Sequence, residues 1–210
     1  MTQSKNRQVP FSFAPDAKRL AFWEFVTGGT EIWTLPLETD GSGLRARKPE
    51  PFLQTHFNER HPSFSPDGRW LAYDSNESGT TQVYVRTFPD KGGKWQISSG
   101  DGIYPEWSRG GRELFFRTED NHIMVAAYTV NGDSFVADKP RMWSQKRIGN
   151  SGPAGTNYAV APDGKRIAAL MPAEAQEAQQ SQNHVIFLEN FFDELRRRGR
   201  AAPTCTSADE

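Results

Sequence analysis

The sequence predicts an all-β chain built from one hairpin unit used four times. Three observations carry that reading. The segments FAPDAKRLAF (13–22), FSPDGRWLAY (64–73), WSRGGRELFF (107–116) and VAPDGKRIAA (160–169) share one pattern. A second apolar segment follows each of them: EIWTL (31–35), QVYVR (82–86), HIMVA (122–126) and HVIFL (184–188). Finally, DGSGLRARKP (40–49) and NGDSFVADKP (131–140) both place Lys-Pro eight residues after an Asp-Gly or Asn-Gly start. Self-similarity at a fixed period is the signature of repeat architectures.

In each unit the first element is an apolar residue, a turn, one or two charged residues and an apolar strand. The turn residues are Pro15 and Asp16 in the first unit, then Ser65, Pro66, Asp67 and Gly68 in the second. Gly110 and Gly111 fill the third, and Pro162, Asp163 and Gly164 the fourth. Ser at the first position, Pro at the second and Gly at the fourth suit a type I turn. Gly68 can adopt the left-handed conformation that returns the chain to the next strand. Leu20, Leu71, Leu114 and Ile167 align after the turn, as do Ala21, Ala72, Phe115 and Ala168. The second element follows at matched spacing: Leu20 to Ile32 and Leu71 to Val83 are both twelve residues. The Asp-Gly and Asn-Gly pairs predict tight hairpins.

The steps from Phe13 to Phe64, Trp107 and Val160 give units of 43 to 53 residues with three or four short strands each. A sheet of that size cannot bury both faces alone. Stacking units around an axis buries them, which predicts a β-propeller of about four blades, closed or partial. The expected organisation is an unstructured start (1–8) and blades over 9–57, 58–103, 104–152 and 153–190. A short closing helix (190–198) and an unstructured tail (199–210) complete it. In NFFDELRRR, Asn190 caps the helix and Arg196 to Arg198 sit at its negative end.

Composition narrows the function. The chain has 210 residues, 36% hydrophobic, 12% aromatic, with 18 Gly and 14 Pro. A net charge of -1 gives no domain-wide basic footprint for nucleic acid. The single Cys205 permits no internal disulfide. The opening MTQSKNRQVPFSF lacks an apolar signal core, and no apolar run of about 18 residues predicts a membrane span.

Ser65 beside Asp67 raises the question of a nucleophile. No G-x-S-x-G elbow occurs, and Ser65 is replaced by Ala14 and Ala161, and Asp67 by Gly110, in the other units. A turn explains all four copies. His56, Glu59 and His61 in HFNERH resemble a scrambled zinc motif, but the histidines are five apart instead of four, which predicts a polar connection between blades. The glycine clusters lack phosphate-loop spacing. The basic run RRRGR (196–200) is explained by its place at a helix C-terminus. No catalytic residue, metal site or cofactor is expected.

SFSPDGRWLAY, QVYVRTFP and APDGKRIA resemble the WD40-like repeats of TolB-type propellers. The run from 51 to 116 resembles the C-terminal, sensor-like propeller of bacterial eukaryotic-type serine/threonine protein kinases. The ending HVIFLENFFDELRRR is similar to the segment that closes those proteins. The resemblance covers about residues 9–198. It implies a non-catalytic module outside the cytoplasmic membrane that binds a peptide, protein or small-molecule ligand at the channel mouth. The kinase motifs themselves are absent: no glycine-rich loop precedes a V-A-I-K lysine, and no H-R-D or D-F-G occurs. Two other readings stand beside it: the accessory propeller of a prolyl-oligopeptidase-like hydrolase, or a TolB-like envelope scaffold. Open blade edges would also allow self-association.

Overall fold

Alternating apolar side chains and turn residues at regular spacing set the strands. The computed structural model describes residues 4–41, 43–110, 112–150 and 155–172. The first unit contains β1 (Gln8–Phe13), β2 (Arg19–Val26), β3 (Gly29–Asp40), β4 (Gly43–Ala46) and β5 (Glu50–Leu53). The second contains β6 (Glu59–Phe64), β7 (Trp70–Ser75), β8 (Gln82–Thr87) and β9 (Lys94–Gln96). The third contains β10 (Ile103–Trp107), β11 (Glu113–Arg117), β12 (Ile123–Asn131), β13 (Ser134–Ala137) and β14 (Arg141–Met142). Of the fourth, β15 (Tyr158–Val160) and β16 (Ile167–Ala169) are described. The segment HVIFL, the closing helix at 190–198 and the tail lie outside the described residues, as does Gly111.

Each unit is an antiparallel meander. The middle sheet runs β6-β7-β8-β9. The first and third share an elaboration of that plan. The long β3 pairs β5 over Ile32–Thr34 and then β4 over Leu37–Asp40. Likewise β12 pairs β14 at Met124–Val125 and β13 over Tyr128–Asn131. The Asp-Gly and Asn-Gly segments therefore close equivalent hairpins, with Gly43 at φ +120 and Gly132 at φ +57. The ladder of the first unit begins at Gln8, one residue ahead of the boundary expected from the sequence.

The strands of the hairpin following each turn are sandwiched, so their alternate residues feed two different cores. Leu71 and Tyr73 pack with Ala21, Trp23 and Ile32 between the first two units. Trp70 and Ala72 pack with Val83, Val85, Leu114 and Phe116 between the second and third. Phe115 joins Tyr104, Ile123 and Tyr158 between the third and fourth. Every residue of β7 is buried for this reason. The β13 residue Phe135 is inserted into the junction with the second unit, beside Trp70, Trp95, Trp107 and Tyr128. Arg69 and Lys91 of the second unit hold the tip of that hairpin through Asp133, at 3.2 and 3.0 Å. The equivalent residue of the first unit is Leu44, and it is 65% exposed.

Candidate functional site

The first strands β1, β6, β10 and β15 converge on one cleft of about 890 Å³. The turns of the first three units contribute to its rim. A backbone bond from each turn's first residue closes it at the same place in every unit. The four donors and acceptors are Ala14 to Arg19 (2.8 Å), Ser65 to Trp70 (2.9 Å), Ser108 to Glu113 (2.9 Å) and Ala161 to Arg166 (2.8 Å). Asp16, Asp67 and Asp163 each accept the backbone N–H two residues on, at 3.0, 3.1 and 3.0 Å. Gly68 and Gly164 take φ values of +71 and +68. In the first unit Ala17 stands at φ +58, and in the third a non-glycine, Arg112, stands at φ +49. Pro15 and Pro66 line the cleft; Gly110 lies against the Pro162 carbonyl of the next turn.

Ser65 is committed within its turn. Its hydroxyl donates to Asp67 Oδ1 at 2.6 Å and accepts the Trp70 backbone N–H at 3.0 Å. The side chain is buried at 1% exposure, and among the described residues no histidine is hydrogen-bonded to it to take its proton.

Neighbouring first strands are joined at one repeated position. Ser12 Oγ accepts the Phe64 N–H at 3.0 Å. The Ser63 carbonyl accepts the Trp107 indole N–H at 2.9 Å. Glu106 Oε1 accepts the Val160 N–H at 2.9 Å. Burial raises the Glu106 carboxyl above its ordinary range, against the lowering pull of that bond and of Arg109. The cleft wall mixes apolar and polar surface: Phe11, Phe13, Pro105 and Trp107 stand among its lining with Ser12, Ser63 and Glu106, and one cation, Arg109, is at its rim. A concave apolar surface with a few placed polar groups is the usual form of a ligand site.

A buried polar cluster adjoins it, and no local pattern of residues marks it as buried. His61 and Tyr104 occupy matching positions before a proline, and both have positive φ, +51 and +56. The ladder is bulged there in the first three units, between Pro10 and Ser12, Arg60 and Ser63, and Ile103 and Glu106. A bulge re-aims the side chain it carries. His61 Nδ1 lies 2.6 Å from Asp74 Oδ2, and its ring is 4.0 Å from that of Tyr104. The Tyr158 hydroxyl donates to the Tyr104 carbonyl at 2.5 Å. HFNERH is a connection only in its first half: residues 56–58 lie between β5 and β6, with His56 exposed. Glu59 and His61 lie in β6 at 1% and 9% exposure, His61 turned into the junction by the bulge. The signal available in the sequence was the match of His61-Pro62 to Tyr104-Pro105 when the units are aligned.

No family model matches the chain. Among solved structures, a protein from Bacteroides uniformis described as a 6-phosphogluconolactonase is similar, with a TM-score of 0.50 and 19% identity. The match covers 78% of this chain and 48% of that one. The fold is a β-propeller, at least in part. Proteins described as TolB from Agrobacterium tumefaciens and Acinetobacter baumannii are also similar, at TM-scores of 0.48 and 0.42 with 16% and 17% identity. Those matches cover 66% and 77% of this chain, and 52% and 42% of theirs. The chain spans about half the length of the structures it matches. At this identity the likeness is one of fold.

Proposed function

We propose that the propeller is a non-catalytic recognition module whose ligand, a peptide, protein segment or small molecule, enters the cleft at the ends of the first strands. The observation that carries this is the cleft itself: four strands from four repeats line one space with aromatic and proline side chains beside polar groups. Three of those polar groups, at Ser12, Ser63 and Glu106, are engaged in joining the units. Rigid repeats holding variable loops suit binding. Ser65 and His61 both have structural partners, which supports a non-catalytic role.

The finer reading is that this module is the sensor-like part of a serine/threonine kinase-type protein; it rests on the resemblance of residues 51–116. Sequence upstream of Met1 tests that reading, through a kinase domain and membrane helix in frame. Selection from a displayed peptide library tests the cleft. Native protein should enrich peptides whose binding falls at least about tenfold, roughly 1.4 kcal/mol, in Phe13→Asp and Arg109→Glu. Enriched peptides indifferent to both substitutions would count against the cleft.

A further inference from the structure

We propose that the junction between the third and fourth units holds a binding site for an oxyanion group, a carboxylate or a phosphate, recognised by Arg117. The site is separate from the cleft and does not depend on what the cleft binds.

The repeat defines the position. On the second strand of each unit, the residue two places after Ala21, Ala72 or Phe115 serves the junction with the next unit. These residues are Trp23, Asp74 and Arg117. Two of these residues reach a partner in the next unit. Trp23 packs edge-on against His61 with ring centroids 5.9 Å apart, though its indole N–H has no hydrogen-bond partner among the described residues. Asp74 accepts the Tyr104 N–H at 3.0 Å. The third, a permanent cation, does not. Arg117 is 7% exposed, and its Nε and Nη1 have no hydrogen-bond partner among the described residues. Nor does it enter an ion pair among them. Its guanidinium carbon lies 5.0 Å over the Tyr104 ring. The residue of the fourth unit matching His61 and Tyr104 is Asn157, 3% exposed. Its Nδ2 donates to the Gly149 carbonyl, and its Oδ1 has no partner.

A guanidinium cannot shed its charge to relieve burial. A buried cation without a counter-charge is strongly unfavourable. No carboxylate among the described residues forms an ion pair with it. Asp74 is engaged by His61 and the Tyr104 N–H, and Glu106 by the Val160 N–H. An oxyanion meets the unused N–H groups with charge-assisted hydrogen bonds, the pairing for which arginine is best suited.

The test uses thermal unfolding of the native protein and Arg117→Met in sodium phosphate, acetate and chloride at equal ionic strength. Phosphate also stabilises proteins by exclusion from their surface, so the reading is the difference between the two proteins. The native midpoint should rise by about 2–4 °C more than that of Arg117→Met in phosphate, acetate or both. Phosphate alone would identify a phosphate group, acetate alone a carboxylate. Should Arg117→Met fail to fold, Arg117→Lys keeps the charge but loses the planar donors, and its response should be reduced. Equal responses in native and variant protein, or none in the native, would overturn the site.

Discussion

His61 Nδ1 and Asp74 Oδ2 lie 2.6 Å apart, and the same oxygen accepts the Tyr104 N–H of the following unit. One carboxylate thus ties together two positive-φ residues of adjacent bulges. Asp74 is 1% exposed. Removing Asp74 leaves the His61 ring nitrogen and the Tyr104 N–H buried without their partner, together about 2–4 kcal/mol. Asp74→Ala should lose that much, and Asp74→Asn less, in guanidinium chloride denaturation. A loss under about 1 kcal/mol for the alanine variant would show that the pair does not hold the junction.

The turns make a paired prediction. Gly68 sits at φ +71, and a Cβ there would lie 3.3 Å from the Pro15 ring. Gly68→Val should cost at least about 1 kcal/mol. Ala17 occupies the same place at φ +58. Ala17→Gly relieves that strain and should stabilise by up to about 1 kcal/mol, less the entropy that glycine adds to the unfolded chain. Both are read from denaturation midpoints, and an opposite sign at either residue refutes the shared turn geometry.

Burial pushes the Glu59 carboxyl above its ordinary range, although the Thr55 hydroxyl donates to it at 2.6 Å. A raised folded value means that the folded protein holds this proton more tightly than the unfolded chain does. Its contribution is therefore fully present below the ordinary carboxylate range and is lost as pH rises through the folded value. Glu59→Gln removes the charge and keeps an acceptor for Thr55. The variant should be at least as stable as native protein at neutral pH, with an advantage that shrinks toward about pH 4. Denaturation at the two pH values compares them; an advantage that grows in acid contradicts it.

Tyrosine ionisation should be late. Burial pushes Tyr128 up to about 12, and raises Tyr73 and Tyr158 further. Because the unfolded phenols ionise near about 10, these groups lose their contribution as pH rises from there through the folded values. Absorbance titration of native protein should show fewer than all five tyrosines ionising before unfolding begins. Full ionisation near the ordinary value in folded protein would refute their burial.

Phe135 and Leu44 test what a hairpin gains from a neighbour. Phe135 is 2% exposed and Leu44 is 65% exposed. Phe135→Ala should cost about 3–5 kcal/mol, whereas Leu44→Ala should stay within about 0.5 kcal/mol. Similar costs at the two positions would mean that Leu44 is covered in solution.

The same pair shows where sequence reading stops. Asp40-Gly41 and Asn131-Gly132 announce two equivalent hairpins, since few residues tolerate such turns. What lies under each hairpin depends on a neighbouring unit, which no local pattern encodes. The turns Ser65 to Gly68 and Pro162 to Gly164 were legible because proline, aspartate and glycine each have a mechanical reason to be there. Ala17 and Arg112 adopt the same kind of backbone without that chemistry, so nothing in their identity marks them. Glu59 and His61 read as polar because polarity is a property of the residue, while burial is a property of the bulge. Nothing in the sequence singles out Arg117; its burial and its unused N–H groups are visible only in the fold.

The joint between first strands has a consequence for how such a molecule diversifies. One place in the repeat is served by a hydroxyl at Ser12, a main-chain carbonyl at Ser63 and a carboxylate at Glu106. The wall of the cleft is therefore seamed by three chemically unlike fasteners. Because the three bonds share no atoms, a duplicated unit is free to alter the lining beside its own seam while the neighbouring units stay joined.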